Sequence, residues 1–164
     1  LGELAVQKYM EKYFIVRIAW VFGINGKNFI NTMLNLGLTH DRLTVVSDQI
    51  GTPTYTYDLS RLLVDMAESD KYGIYHATNE GGYISWYDFT VEIMKQAAKY
   101  NDKYSKVEVL PVGSDMYPAK AKRPSNSRMD KSKLKNQGFE PLPDWKDALS
   151  RYLQQKMEIE NGTN

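Results

Sequence analysis

The sequence predicts an α/β fold in which short buried strands pair in parallel and alternate with amphipathic helices. Two observations lead to this class. Four short apolar runs rich in β-branched residues alternate with segments in which apolar residues recur at helical spacing. The connections between these runs are long enough to contain a helix, as parallel pairing requires. At 164 residues and 42% hydrophobic content, the chain fits one compact domain.

The predicted strands are the four apolar runs. The first, Phe14-Ile-Val-Arg-Ile-Ala19, is typical of a strand that is buried on both faces. His76 lies inside the third run and is therefore predicted to be a core histidine. The predicted strands cover residues 14–19, 43–46, 73–77 and 107–112.

The predicted helices follow from apolar spacing and from capping residues. Ser85 and Asp88 form the pattern of a capping box, and Asp144 is a candidate N-cap for the last helix. Trp86 and Trp145 stand next to these caps and are predicted to pack in the core. The predicted helices cover residues 1–13, 29–38 and 59–66, the segment after residue 85, and two short helices that begin near residue 130 and after residue 144.

Composition and charge exclude several classes of function. The net charge of +1 indicates neither nucleic-acid nor membrane binding, and no apolar run approaches the roughly 20 residues that a transmembrane helix needs. The lack of Cys excludes a disulfide framework and a thiolate metal site, and it fits the reducing cytoplasm. The only histidines, His40 and His76, are far apart in sequence, so no metal centre is expected.

Three clusters place polar or aromatic side chains beside Gly or Pro, a pattern typical of loops that contact ligands. They are Arg17-Ile-Ala-Trp-Val-Phe-Gly23, Asp48-Gln-Ile-Gly-Thr-Pro-Thr54 and Arg123-Pro-Ser-Asn-Ser127. The third cluster lies within residues 115–135, where seven basic and two acidic residues give a local charge of +5. This segment is either a solvated surface or an anion site.

Four of the candidate substrate-binding residues come from these clusters. Trp20 follows the first strand, at the carboxyl edge where open α/β sheets bind ligands; the alternative is a core indole. Gln49 and Thr52 carry groups that could meet a base or a sugar, or could satisfy the backbone of their own turn. Arg123 offers a planar fork to a diphosphate, and a surface ion pair is the alternative.

Asn28 and Tyr117 complete the candidate binding set. Asn28 precedes the second predicted helix, so it either caps that helix or touches a nucleotide. Tyr117 stands beside Pro118 and is a candidate pocket wall. A dinucleotide fingerprint is absent, because no two of the 11 glycines stand two positions apart, and the phosphate-binding loop with Lys-Ser/Thr is absent too.

Taken together, the clusters resemble the dTDP-4-dehydrorhamnose reductase family of extended short-chain dehydrogenase/reductases. The resemblance runs from residue 1 to about residue 153. It implies the C-terminal part of an NAD(P)-binding Rossmann-type fold, with a small substrate-binding subdomain interleaved over residues 1–164. The matching segments are Arg17-x-x-Trp-Val-Phe-Gly23, Asn28-Phe29, Val45-Val-x-Asp-Gln-x-Gly-x-Pro-Thr54, Gly73-Ile-Tyr-His76, Ser85-Trp-Tyr-x-Phe89, Tyr117-Pro-Ala119 and Arg123-Pro-x-Asn-Ser127.

The resemblance implies a cytoplasmic enzyme that reduces a dTDP-linked 4-keto-6-deoxy sugar with NADPH, the last step towards dTDP-L-rhamnose. In this family Trp20 would lie against the sugar and Arg123 on the diphosphate. NADH in place of NADPH, a role for Mg²⁺ and a homodimer stay open. The catalytic Tyr-x-x-x-Lys pair and the Gly-rich loop of the family would precede Leu1, so we expect this chain alone to be inactive.

Tyr152 and Lys156 repeat the Tyr-x-x-x-Lys spacing, but they follow every ligand-like cluster, so we interpret the match as chance. Ile18-Ala19 stands where many family members have Thr-Ser, so one hydroxyl contact is missing. Two other functions stay open. The chain could belong to a non-catalytic regulatory subunit like the β subunit of methionine adenosyltransferase, or to an epimerase or dehydratase of another nucleotide sugar.

Overall fold

Helices and short strands alternate along the chain, and the α/β class is confirmed. The computed structural model describes residues 1–117, 124–160 and 162. The helices are α1 (Gly2–Tyr9), α2 (Phe29–Thr39), α3 (Thr56–Ala67), α4 (Trp86–Ala97), α5 (Ser132–Asn136) and α6 (Trp145–Glu160). The strands are β1 (Phe14–Arg17), β2 (Val21–Phe22), β3 (Arg42–Val46), β4 (Ile50–Gly51), β5 (Thr54–Tyr55), β6 (Gly73–His76), β7 (Ile84–Ser85) and β8 (Glu108–Val112).

All four predicted strands form, and they pair in parallel. β1 pairs with β6, so that Arg17 lies opposite His76, and β3 pairs with β8, so that Val46 lies opposite Val112. The two-residue strands β2 and β5 pair in parallel, and β4 pairs antiparallel with β7. Elements this short show no periodicity, so the sequence did not predict them.

Two hydrophobic clusters support these elements. The first cluster joins α2, α4 and α6 to β3, with Ile30, Phe89 and Leu149 almost fully buried. The second cluster packs α3 against β6, around Leu62 and Tyr75. Helices α2, α3, α4 and α6 therefore each bury an apolar stripe, which is what stabilises helices of this length in water.

The capping residues predicted from the sequence act as caps. Ser85 Oγ accepts a hydrogen bond from the Asp88 backbone N–H at 3.0 Å, and the Ser85 N–H donates to Asp88 Oδ2 at 2.8 Å, which completes a capping box. Asp144 Oδ1 accepts from the Lys146 N–H at 2.8 Å. The prediction of a short last helix is wrong, because α6 has 16 residues and buries Tyr152 completely in the first cluster. Within the described ranges, no helix has the combination of length and apolarity that crossing a membrane requires.

Helix α1 ends at Tyr9, four residues earlier than predicted, and none of its residues is buried. It has no side-chain N-cap, and its tertiary anchor is the pair between Glu3 Oε2 and Arg17 Nη2 at 2.5 Å. This pair holds the pKa of the Glu3 carboxyl below its usual value, chiefly through the hydrogen bond from Arg17. Because no residue of α1 is buried, packing contributes almost nothing to its stability. The exposed ion pair adds very little.

We expect the backbone amides of α1 to exchange with solvent at least 100-fold faster than those of α4 in hydrogen–deuterium exchange. An eight-residue helix with no buried face is marginal in water, whereas α4 has a capping box and six buried residues. Glu3→Gln should speed exchange in α1 and leave α4 unchanged. Equal protection of the two helices would contradict this account.

Candidate functional site

Two adjoining cavities lie where β1, β3 and β6 end. The first cavity has a volume of about 510 Å³, and the second cavity has a volume of about 360 Å³. Gln49 and Trp86 line both, so one ligand of two parts can reach across them. The first cavity is also bordered by Trp20, His76, Asn126 and Arg128, and the second by Phe29, Met33, Val45 and Tyr117.

Trp20 forms an aromatic wall of the first cavity. Its ring stacks on that of Trp86, with centroids 3.6 Å apart and planes 15° from parallel. A Cβ added to Gly51 would lie 2.9 Å from Trp20 Cε2, so only glycine lets the indole approach the backbone there. β1 ends at Arg17, two residues before the predicted end at Ala19, so Trp20 lies three residues beyond the strand and does not follow it directly.

The backbone of Trp20 is held in a left-handed conformation, with φ of 49°. Such a φ costs a bulky residue about 1–2 kcal/mol, so neighbouring contacts must fix it. Thr54 provides two of them: its N–H donates to the Trp20 carbonyl at 3.1 Å, and its Oγ1 donates to the Ala19 carbonyl at 2.6 Å. The indole is therefore positioned before any ligand arrives.

Gln49 lies between the two cavities with its side-chain amide available. Within residues 1–117 and 124–160, no hydrogen-bond partner of this half-buried amide is present. The adjacent Asp48 anchors the loop, because its Oδ2 accepts from both the N–H and the Oγ of Ser114 at 3.0 Å. The hydrogen bond from the Ser114 N–H is the main reason that the pKa of Asp48 is lowered. An anchored loop that carries a free amide is well suited to meet a polar ligand.

Tyr117 borders the second cavity, as predicted for a pocket wall. Its hydroxyl lies 2.5 Å from Thr44 Oγ1 and 3.2 Å from the Thr44 carbonyl oxygen, so the ring is tied to β3. Phe29, Met33 and Val45 give the rest of this cavity an apolar surface. The second cavity therefore suits a flat, weakly polar group.

Thr52 and Asn28 line neither cavity. Thr52 is 2% exposed, and its Oγ1 donates to the Gly82 carbonyl at 2.9 Å. Asn28 Oδ1 accepts from the Asn31 N–H at 3.0 Å, which caps α2, and its Nδ2 donates to the Gly23 carbonyl at 2.9 Å. Both side chains thus serve the local backbone, which is the alternative that the sequence left open for each.

Arg123 lies outside the described residues. Pro124, the next described residue, lines the first cavity. Residues 125–127 then pair with β4, because the Ile50 N–H donates to the Ser125 carbonyl at 2.9 Å and the Ser127 N–H donates to the Ile50 carbonyl at 2.7 Å. The sequence cluster at residues 123–127 is therefore joined, through residues 125–127, to the sequence cluster at residues 48–54 beside this cavity.

Sequence reasoning missed His76 and Trp86 as site residues. The interpretation of His76 as a core residue is wrong, because it is half-buried at the end of β6 and lines the first cavity. Its Nδ1 lies 3.0 Å from the Asp130 carbonyl oxygen, so this nitrogen carries a proton and Nε2 is left for another partner. The position of both residues beside predicted loops at the carboxyl edge was a usable signal.

The N-terminus of α2 does not form a pyrophosphate site, and the described residues contain no cluster suited to a metal ion. In these parts of the chain, no group of three or more His, Asp or Glu side chains is placed to hold a metal ion. Asn28 already occupies the N-terminus of α2, and a Cβ on the preceding Gly23 would lie 2.3 Å from Thr56 Oγ1. The space at this glycine is filled by protein, not left for a pyrophosphate. Tyr152 is also unavailable to a substrate, because it is fully buried and donates to Asn31 Oδ1 at 2.7 Å.

Comparison with known proteins identifies the family. The family described as RmlD substrate binding domain matches residues 1–158, and the chain belongs to this family. A dTDP-4-dehydrorhamnose reductase of Aggregatibacter actinomycetemcomitans is 40% identical over 155 residues, which cover 90% of this chain and 52% of that protein. The chain therefore spans about half the length of the curated relatives it matches.

Solved structures agree with this assignment. A dTDP-4-dehydrorhamnose reductase ortholog from Clostridium acetobutylicum is 40% identical, with a TM-score of 0.88, over 95% of this chain and 53% of that one. The Bacillus anthracis reductase, solved in complex with NADP, is 37% identical, with a TM-score of 0.83, over 94% of this chain and 52% of that one. The Rossmann-type family predicted from the sequence is confirmed, and these comparisons do not favour the regulatory, epimerase and dehydratase alternatives.

Proposed function

We propose that this chain is the nucleotide-sugar-binding part of an NADPH-dependent dTDP-4-dehydrorhamnose reductase, which converts dTDP-4-dehydro-6-deoxy-L-mannose to dTDP-L-rhamnose. The observation that carries the proposal is the pair of adjoining cavities, one apolar and one bounded by stacked indoles, with the free amide of Gln49 between them. The names of relatives at 37–40% identity support the same reaction.

The two cavities suggest how the ligand is divided. The second cavity, lined by Phe29, Met33 and Tyr117, suits the flat thymine ring. The first cavity offers Trp20 to the apolar face of a hexose ring and His76 to its hydroxyl groups. In this arrangement Gln49 lies near the junction, where it can bond to either part. Thr52, Asn28 and Arg123 act, in this proposal, by shaping the loops around the ligand or by contacting its diphosphate.

The task of this chain in the proposed reaction is to bind and orient the sugar. The groups that reduce the C4 ketone are expected elsewhere in a longer polypeptide, because the chain spans about half the length of its relatives and contains no Gly-x-Gly-x-x-Gly fingerprint. Restricting a reactant to one orientation can lower a barrier by several kcal/mol, provided that the binding surface is rigid. The hydrogen bonds from Thr54 to the backbone of residues 19 and 20 supply that rigidity.

The proposal is tested by ligand binding and turnover in parallel. In saturation-transfer NMR, we expect dTDP to receive magnetisation from this chain more strongly than UDP or GDP, because the apolar second cavity accommodates the thymine methyl group. A longer polypeptide that contains the chain should oxidise NADPH when the keto sugar is added, whereas the chain alone should not. Preference for UDP or GDP, or NADPH oxidation by the chain alone, would contradict the proposal.

Location and assembly belong to the same proposal. We propose the cytoplasm, because a chain without Cys is suited to a reducing compartment. A homodimer remains part of the proposal, to be decided by light scattering on the longer polypeptide.

A further inference from the structure

Arg128, which lines the first cavity, differs from the other described arginines in having no carboxylate partner. Of the five arginines within residues 1–117 and 124–160, only Arg128 has no carboxylate partner. An arginine without an acidic partner keeps its full charge for an external anion. The other four form ion pairs of 2.5–2.8 Å, namely Arg17 with Glu3, Arg42 with Glu108, Arg61 with Glu140 and Arg151 with Asp58.

The lysines near Arg128 are already engaged. Lys131 Nζ lies 3.2 Å from Glu80 Oε1, and Lys135 Nζ lies 3.9 Å from Glu80 Oε2. Lys133 Nζ donates to the Ile74 carbonyl at 3.0 Å and lies 4.5 Å from the centre of the Tyr75 ring. In the described part of this basic segment, Arg128 is therefore the cation that remains for a ligand.

Arg128 is held at the first cavity in a defined position. Its guanidinium carbon lies 5.7 Å from the centre of the Tyr83 ring, and Nη1 donates to Asn126 Oδ1 at 3.3 Å. Tyr83 is itself fixed, because its hydroxyl donates to the Met129 carbonyl at 3.0 Å. A guanidinium has five N–H donors, and one is used here, so the fork retains donors for a bidentate contact. The nearby Asp130 does not compete, since its carboxylate accepts from the N–H and Oγ of Ser132.

We propose that Arg128 binds the diphosphate that joins the nucleoside to the sugar. The ligand class in this inference rests on the proposed function. The position of the contact rests on the guanidinium at the first cavity, which has no carboxylate partner. A diphosphate between a base in the second cavity and a sugar in the first brings two negative charges into the cavity that Arg128 lines. The contacts with Tyr83 and Asn126 limit the motion of the side chain, so less entropy is lost when the anion binds.

The test is a titration of the ¹⁵N-labelled chain with dTDP and with thymidine, followed by backbone, indole and guanidinium N–H signals. Arg128→Gln should weaken dTDP binding about 10- to 100-fold and leave thymidine binding within about 2-fold of wild type. Arg128→Lys should restore only part of the loss, because an ammonium cannot form the bidentate contact. Arg42→Gln is the matched control: it removes an exposed, carboxylate-paired arginine on β3 and should bind dTDP as wild type does.

The outcomes separate this inference from the proposed function. If Arg128→Gln keeps a native spectrum and binds dTDP as wild type does, the inference is overturned. If the wild-type chain prefers UDP or GDP to dTDP and Arg128→Gln weakens that binding, the proposed substrate is wrong and the diphosphate contact stands. If Arg128→Gln weakens the binding of thymidine and of dTDP equally, Arg128 supports the shape of the cavity and the diphosphate contact is overturned. Rising salt should weaken dTDP binding less steeply in Arg128→Gln than in the wild type.

Discussion

Asn79→Ala is expected to lower the free energy of unfolding by about 3 kcal/mol and the melting temperature by about 6–12 °C. Asn79 is fully buried and joins three separate segments. Its Oδ1 accepts from the Tyr55 N–H at 2.8 Å, and its Nδ2 donates to Asp58 Oδ2 at 2.8 Å and to the Pro143 carbonyl at 3.0 Å. Alanine leaves the Tyr55 N–H without this partner and removes one hydrogen bond each from Asp58 and the Pro143 carbonyl, in a buried site where a lost hydrogen bond costs most.

The same substitution should loosen the site. The loop that carries Gln49 leads to Thr54, and Asn79 Oδ1 holds the N–H of the next residue, Tyr55, at 2.8 Å, a hydrogen bond that alanine cannot form. Calorimetry and chemical denaturation measure the loss of stability, and Asn35→Ala is the control, because Asn35 is exposed on α2 and should change stability by less than about 0.5 kcal/mol. A loss below 1 kcal/mol in Asn79→Ala would show that the buried network contributes little.

Asp58 connects this network to α6. Its carboxylate lies 2.8 Å from Arg151 Nη2, and Arg151 also bonds to Asp147 Oδ2 at 2.8 Å. The hydrogen bond from Asp58 is the main reason that the pKa of Arg151 is raised above its ordinary value. A buried carboxylate with two partners tolerates the loss of one better than the loss of both, so Asn79 and Arg151 should show coupled effects in a double-mutant cycle.

Local sequence patterns were sufficient for the elements and for part of the site. The four strands, the capping box at Ser85 and the cap at Asp144 depend on neighbouring residues, and all were predicted. Trp20 and Gln49 stand beside Gly and Pro in loops, and both line the first cavity. These features share one property, which is that their structural cause lies within a few residues in the sequence.

The remaining features depend on partners that are distant in sequence. Thr52 bonds to Gly82 and Asn28 bonds to Tyr152, and nothing in the local pattern separates such a contact from one to a ligand. His76 lies in a strand of apolar character, yet its position at the strand end places it in the first cavity. The partners of a side chain are fixed by tertiary packing, so sequence spacing alone could not assign these roles.

Trp20→Ala is expected to weaken binding of dTDP-L-rhamnose about 30-fold and binding of dTDP less than about 3-fold. If the sugar lies in the first cavity, it loses the indole face that it contacts, worth about 2 kcal/mol, whereas the base and diphosphate keep their contacts. Trp86 loses its stacking partner at 3.6 Å as well, so the remaining wall is less well defined. Titration calorimetry with both ligands measures the difference, and Trp20→Phe should retain most of the sugar affinity because a ring is still present.

Trp20→Gly separates the ligand contact from the backbone strain. Glycine removes the same indole but adopts φ of 49° without steric cost, so Trp20→Gly should be about 1 kcal/mol more stable than Trp20→Ala. Both variants should bind dTDP-L-rhamnose equally weakly, because neither has a ring. If Trp20→Ala binds dTDP-L-rhamnose as tightly as the wild type does, the indole does not contact the sugar. If the Gly and Ala variants are equally stable, the left-handed backbone at this position is not strained. Glycine normally destabilises a folded chain relative to alanine, so the reversed order would be specific to this backbone conformation.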